Sequence, residues 1–169
     1  ILHVQEAVGV NVFAHERQLT PTDNQPVVRM NRDTYYSQVV VDISEGATIT
    51  LPEFDGYMSA LVVTEDHRIQ PMVYGPGTYP LDAHTGNHVY IIVRLDATLS
   101  EAEAARIQDE MSVDANSAEP FMAEPIQRAS FEAVERELRA QMPAILQRDG
   151  DEALYGMFTA PSDDSDALF

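Results

Sequence analysis

Between Val27 and Leu95 the apolar residues fall in short runs broken by turn formers, the spacing of strands and not of helices. The runs are Val27 to Met30, Tyr36 to Ile43, Thr48 to Leu51, Tyr57 to Thr64, Ile69 to Tyr74 and His88 to Leu95, all rich in Val, Ile, Tyr and Thr. Ser44-Glu45-Gly46 can reverse the chain between the second and third runs, and Asp55-Gly56 between the third and fourth. Gly and Asp tolerate the positive φ of tight hairpin turns. Gly75-Pro76-Gly77 and Thr85-Gly86-Asn87 mark further turns, so the expectation is an antiparallel meander of six or seven strands, folded as a β-sandwich or jelly-roll-like sheet.

After Asp96 the period changes. Ser100-Glu101-Ala102-Glu103 has the form of a capping box, and Leu99, Ala104, Ile107 and Met111 follow at helical spacing. A second helix is expected from Ser130, with Phe131, Val134, Leu138, Met142 and Ile145 on one face and Glu132/Arg136 and Glu135/Arg139 as ion pairs on the other. Pro143 should kink or end it. From Ser117 to Pro125 the chain reads as an extended loop pinned by Phe121 and Met122. The fold class is therefore mainly β with two C-terminal helices (α+β). Residues 1–26 are an irregular segment or short helix, 27–157 a β-rich domain with helices near 100–112 and 130–147, and 158–169 an acidic tail or linker to a second domain.

Charge changes the picture more than hydropathy does. The 169 residues hold 28 acidic and ten basic side chains, a net charge of −18, and every basic residue is arginine. Such a field repels polyanions, which argues against nucleic acid and anionic membrane surfaces as partners. Two origins fit the composition: adaptation to saline, halophilic or marine surroundings, where salt screens the self-repulsion, or a genome whose base composition replaces Lys with Arg. Cysteine is absent, which removes disulfides, thiolate metal sites and cysteine nucleophiles together. No apolar run approaches the roughly 20 residues that span a bilayer. The chain starts at Ile1 without a charged leader region, as an internal point left by processing would.

The segment Asn31-Arg32-Asp33-Thr34-Tyr35-Tyr36 sets polar and phenolic groups directly before the apolar Val39-Val40-Val41. With Val10-Asn11-Val12-Phe13, Pro52-Glu53-Phe54-Asp55-Gly56-Tyr57-Met58 and Asp66-His67, and with Tyr74 to Tyr79 and Ile107-Gln108-Asp109, it resembles the domain of unknown function 1254 family, a β-rich module, from about Val10 to Met157. The resemblance implies a second β-rich domain, the domain of unknown function 1214, after the module. Gly156-Met157-Phe158 looks like the approach to that junction. It also implies a periplasmic or extracellular location, a cytoplasmic one not being excluded, and it brings no catalytic residues.

Strand alternation through the motif would send Asn31, Asp33 and Tyr35 to one face and Arg32, Thr34 and Tyr36 to the other. On a functional reading Asp33 accepts hydrogen bonds or acts as a base, Asn31 orients a carbonyl or hydroxyl, and Tyr35 supplies a stacking surface. On a structural reading the polar residues satisfy a turn, Arg32 makes an ion pair and the tyrosines fill the core. His3, His15, His67, His84 and His88 show no helical zinc spacing, so no metal site is expected, although Asp66-His67 and His15-Glu16 could each contribute a ligand from afar. Calcium is the ion the charge favours, yet Asp149-Gly150-Asp151-Glu152 lacks EF-hand periodicity and Asp163-Asp164-Ser165-Asp166 lies in the tail. No cofactor is expected. Two functions stay open. One is a binding or assembly module that docks on a second β-rich domain or chain, or forms a homo-oligomer. The other is an enzyme, a hydrolase of a small polar substrate with Asn31, Asp33, Tyr35 and His67 meeting in a pocket.

Overall fold

The computed structural model describes residues 1–23, 31–65, 67–81 and 86–149. The expected strand Val27 to Met30, Asp66, His84, the Gly156-Met157-Phe158 junction, the tail and the acidic runs beyond Asp149 lie outside the described residues. By its contacts the chain divides into two compact units, Ile1–Ala123 and Glu124–Phe169.

The first unit is a sandwich of two antiparallel sheets. Its elements are α1 (Leu2–Val8), β1 (Ala14–His15), β2 (Thr34–Asp42), β3 (Ala47–Leu51), β4 (Met58–Thr64), β5 (Val73–Tyr74), β6 (Gly77–Leu81), β7 (His88–Asp96), α2 (Glu101–Asp109) and β8 (Ser112–Ala115). One sheet has the order β1-β2-β7-β4-β5 and the other β6-β3-β8. The central ladder is long: β2 and β7 pair from Thr34↔Asp96 to Asp42↔His88. Alternation sends Tyr35, Val39, Val41, Val89, Ile91, Val93, Leu95, Met58, Ala60 and Val62 inward, where they join Ile49, Leu51 and Leu81 of the second sheet in one core. Ala104, Ile107 and Met111 of α2 enter the same cluster.

The β-rich, antiparallel expectation holds, but the meander does not. β2 and β3 belong to different sheets, and β7 rather than β3 lies beside β2. Gly46 does make its turn, with φ at 89° and its amide donating to the Ile43 carbonyl (3.0 Å). That turn carries the chain across the sandwich. Crossing over lets Val39 and Val41 face Ile49 and Leu51 through the core, whereas hairpin neighbours would share a single face. Gly56 also differs from expectation, because its φ is not positive; a Cβ there would lie 2.3 Å from the Phe54 ring, so close approach is what requires glycine.

Three strands escape the periodicity. β1 has two residues; β8 is a four-residue polar–apolar alternation in which Val113 and Ala115 meet the core; β6 contains Pro80, tolerated because β6 is a sheet edge. The run Ile69 to Tyr74 pairs only at Val73–Tyr74 and at the Val63↔Ile69 bridge, Pro71 having no amide to donate between them.

α2 begins as its capping box demands: Glu103 N donates to Ser100 Oγ (3.3 Å) and Ser100 N to Glu103 Oε2 (3.1 Å). Gln108, fully buried, donates to the carbonyls of Glu16 (3.1 Å) and Tyr36 (3.3 Å), locking α2 to β2. Phe121 packs edge-on against His88, whereas Met122 is exposed. The second unit contains α3 (Arg128–Asp149), which runs through Pro143 instead of ending there and carries the expected Glu135–Arg139 pair (2.8 Å). No described helix is long and apolar enough to cross a membrane.

Candidate functional site

β2 starts at Thr34, so Asn31, Arg32 and Asp33 precede the ladder and escape its alternation. Tyr35 does point inward: it is 3% exposed, sits in the core and donates its hydroxyl to the Leu99 carbonyl (3.0 Å). It therefore offers no stacking surface, and the expected trio of Asn31, Asp33 and Tyr35 is split. Asn31 and Asp33 come together with Thr34, Tyr57, Arg94 and Asp96 around an open pocket of about 300 Å³. Arg32 is exposed and outside that lining. His67 is outside it too, in a turn after the far end of β4, at φ 61° with its amide donating to Thr64 (3.0 Å). From Met58 to Thr64 a strand runs roughly 20 Å, so His67 cannot meet Asp33. The hydrolase constellation is not assembled.

Thr34, Arg94 and Asp96 of that lining belong to the outer face of the five-stranded sheet. Tyr36, Arg94, Ser59 and Tyr74 stand opposite one another on β2, β7, β4 and β5. The Arg94 guanidinium lies over the Tyr36 ring, 5.7 Å from its centroid, and the structure gives it no ion pair among the described residues. The Tyr57 hydroxyl lies 2.9 Å from Ser59 Oγ, and its carbonyl accepts from the Asp96 amide (3.0 Å). Asp96 accepts from the Thr98 amide (2.8 Å); this bond and one from the Thr98 hydroxyl hold its carboxyl below the usual range, so it is an anion at neutral pH. Thr34 Oγ1 is buried and has no hydrogen-bond partner among the described residues. Sequence reasoning found Asn31 and Asp33 but missed Tyr57, Arg94 and Asp96. Their common signal was there, since Tyr57-Met58 and Val93-Arg94 fall where runs begin and end, but only the β2–β7–β4 register brings them to one place.

A second concavity of about 170 Å³ lies beside α1 and β1, with His15, Glu16 and Gln38 in its wall. Its polar groups satisfy one another: His15 Nδ1 is 2.8 Å from Ser37 Oγ, Gln38 donates to Glu16 (3.2 Å), and the Tyr90 hydroxyl donates to Gln38. Burial and nearby Arg17 push the His15 pKa down, and burial pushes that of Glu16 up, which favours the neutral form of each. Among the described residues no group of three or more His, Asp or Glu converges as a metal centre would require.

The fold and pocket define a two-sheet β module with a polar concavity at one rim. Residues 10–78 match the model of the family described as Protein of unknown function (DUF1254), which bears out the resemblance seen in the Asn31 to Tyr36 motif. No curated protein matches the chain. The chain is similar to a solved structure, the VPA0106 protein from Vibrio parahaemolyticus, at 14% identity and a TM-score of 0.46, covering 59% of this chain and 34% of that one.

Proposed function

We propose that the chain is a binding module whose recognition surface is the rim pocket, and that it acts by holding a small polar ligand rather than by transforming one. The observation that carries this reading is the convergence of Asp33, Asp96, Asn31 and Arg94, which has no ion pair among the described residues, around an accessible cavity, with none of the histidines of the described residues in its wall. Acceptors, donors and a tyrosine face suit orientation of a ligand; general acid–base catalysis needs a group poised near neutral pH within reach of it. Titration with small polar molecules should shift the amide resonances of Thr34, Tyr57, Arg94 and Asp96. If no neutral, zwitterionic or anionic small molecule moves them, the reading falls.

A second reading, docking on another β-rich domain, is favoured by α3. Phe131, Val134, Leu138 and Met142 lie at helical spacing and are 63, 53, 49 and 36% exposed. The net charge of −18 opposes self-association at low salt, so a different chain or domain is the preferred partner over a second copy. The extracytoplasmic setting implied by the family belongs to this reading. Native mass measurement of the unfragmented protein tests it: a lone monomer carrying no second β-rich domain counts against it, and a homo-oligomer would reverse the choice of partner.

A further inference from the structure

The make-up of the rim pocket narrows what it takes, given that it is a binding site. We infer that its ligand is a neutral, polyhydroxylated one, a saccharide of two or more rings laid across the outer face of the five-stranded sheet.

Charge removes the simple ions. Two carboxylates, Asp33 and Asp96, line the pocket, and with the net charge of −18 they disfavour an anion. A metal cation is disfavoured because Arg94 stands among the carboxylates of the wall and no chelating cluster exists among the described residues. What remains is a ligand that both donates and accepts at many points. Vicinal hydroxyls do so: they donate to the carboxylates of Asp33 and Asp96 and accept from the Arg94 guanidinium and the Asn31 amide. A zwitterion would balance the charges as well, but desolvating two full charges needs an enclosed site and this one is open to solvent.

The aromatic surface supplies the second, independent indication. Tyr57, in the pocket wall, is 43% exposed, and Tyr74 is 65% exposed on the same outer face. Tyr74 stands opposite Ser59 in the β4–β5 register, and the Ser59 hydroxyl lies 2.9 Å from that of Tyr57, so Ser59 stands between the backbone positions of the two phenols on one face. Exposed tyrosine rings beside planar polar groups offer an apolar floor for the C–H face of a sugar, and two of them give length for more than one ring. A third indication is Thr34 Oγ1, more than nine-tenths buried in the wall and without a partner, which a ligand oxygen can engage after a small rearrangement.

The test is a titration of the full chain with neutral hexose, pentose and deoxyhexose disaccharides, with glutamine and succinate as zwitterionic and anionic comparators, followed by the ring and amide resonances of Tyr57, Tyr74 and Arg94. A saccharide is expected to shift them saturably, with an affinity that survives about 1 M salt because no ion pair is involved. Asp33→Asn should weaken it roughly tenfold or more, a hydrogen bond to a charged acceptor having been replaced. Tyr74→Ala, at an exposed edge position that leaves the amide spectrum otherwise intact, should weaken it severalfold. Binding of succinate or glutamine alone, lost in salt and strengthened for succinate by Asp33→Asn, overturns the saccharide while keeping the pocket as a site. Silence from every molecule overturns both.

Discussion

The two ends of the β2–β7 ladder carry similar chemistry and treat it in opposite ways. At one end Asp42 and His88 face each other in register, and each polar side-chain atom of the pair lies within hydrogen-bond distance of a neighbour. Asp42 accepts from the amides of Ser44 (2.9 Å) and Glu119 (2.8 Å); His88 has Nδ1 3.3 Å from Glu65 Oε1 and donates from Nε2 to the Glu119 carbonyl (2.8 Å). The stretch from Ser117 to Phe121 and the N-terminal residues Gln5 and Asn11 close over this end through four further hydrogen bonds. At the other end Thr34 and Asp96 face each other, yet among the described residues Thr34 Oγ1 has no hydrogen-bond partner and the Arg94 guanidinium, lying over the Tyr36 ring, has no ion pair. Buried polar groups that are satisfied hold a fold together, whereas polar groups left unsatisfied beside a cavity are capacity for a ligand.

The largest effect should come from the closed end. Asp42 is 1% exposed, and replacing it with Ala orphans two amides at once. Urea unfolding should show a loss of about 2–4 kcal/mol. Asp33→Ala at the open end should stay within about 0.5 kcal/mol, as an exposed position with no hydrogen bond or ion pair among the described residues. Equal losses at the two positions would erase the distinction. Acid provides a parallel measurement. Burial pushes the Asp42 carboxyl up, but hydrogen bonds from the Ser117 and Ser44 hydroxyls and from the Ser44 and Glu119 amides outweigh it and hold it well below the usual carboxylate range. A carboxylate so depressed binds fewer protons folded than unfolded. Its contribution is therefore complete above the unfolded value of about 3.9 and is lost as pH falls below that toward the folded one. Asp42→Asn should flatten the acid limb of a stability–pH curve.

Gly86 should rank next. Its φ is 79°, and a Cβ there would lie 2.3 Å from Glu65 Cδ. Glycine thus lets the Glu65 carboxylate accept from the amides of Asn87 and His88, each at 2.9 Å. Gly86→Ala should cost about 1–3 kcal/mol, from left-handed backbone strain and from pushing the carboxylate off its donors. Hydrogen exchange at Asn87 and His88 should accelerate more than at Arg94. Uniform acceleration along β7 would mean that the closed end is not a separate locking device.

Local patterning made the elements readable and left their arrangement hidden. The Ser100 capping box and the Val39 to Val41 run are local signals, and α2 and β2 form where those signals put them. Pairing β7 between β2 and β4 is decided by how the whole apolar load is buried, which no window of a few residues contains. The site follows the same division. Asn31 and Asp33 stood out as polar residues beside a strand, but Tyr35 was assigned by alternation to a face that the strand, starting at Thr34, does not extend to them. Arg94 and Asp96 sit more than 60 residues away in sequence and reach the pocket only through the Tyr36↔Arg94 and Thr34↔Asp96 register.

Thr34→Val should show the smallest change and test most directly whether the open end holds an unsatisfied group. Valine keeps the shape of threonine and removes the hydroxyl that has no partner. Where a buried polar group is unsatisfied, its removal relieves a desolvation cost, so the free protein should be unchanged or stabilised by up to about 1 kcal/mol. Ser37→Ala, three residues along the same strand on its other face, is the comparison, because the Ser37 hydroxyl accepts from Gln108 (3.2 Å) and lies 2.8 Å from His15 Nδ1. That change should destabilise by about 1 kcal/mol. If Thr34→Val is instead as costly as Ser37→Ala, the Thr34 hydroxyl is already satisfied in solution, and the open end is as structural as the closed one.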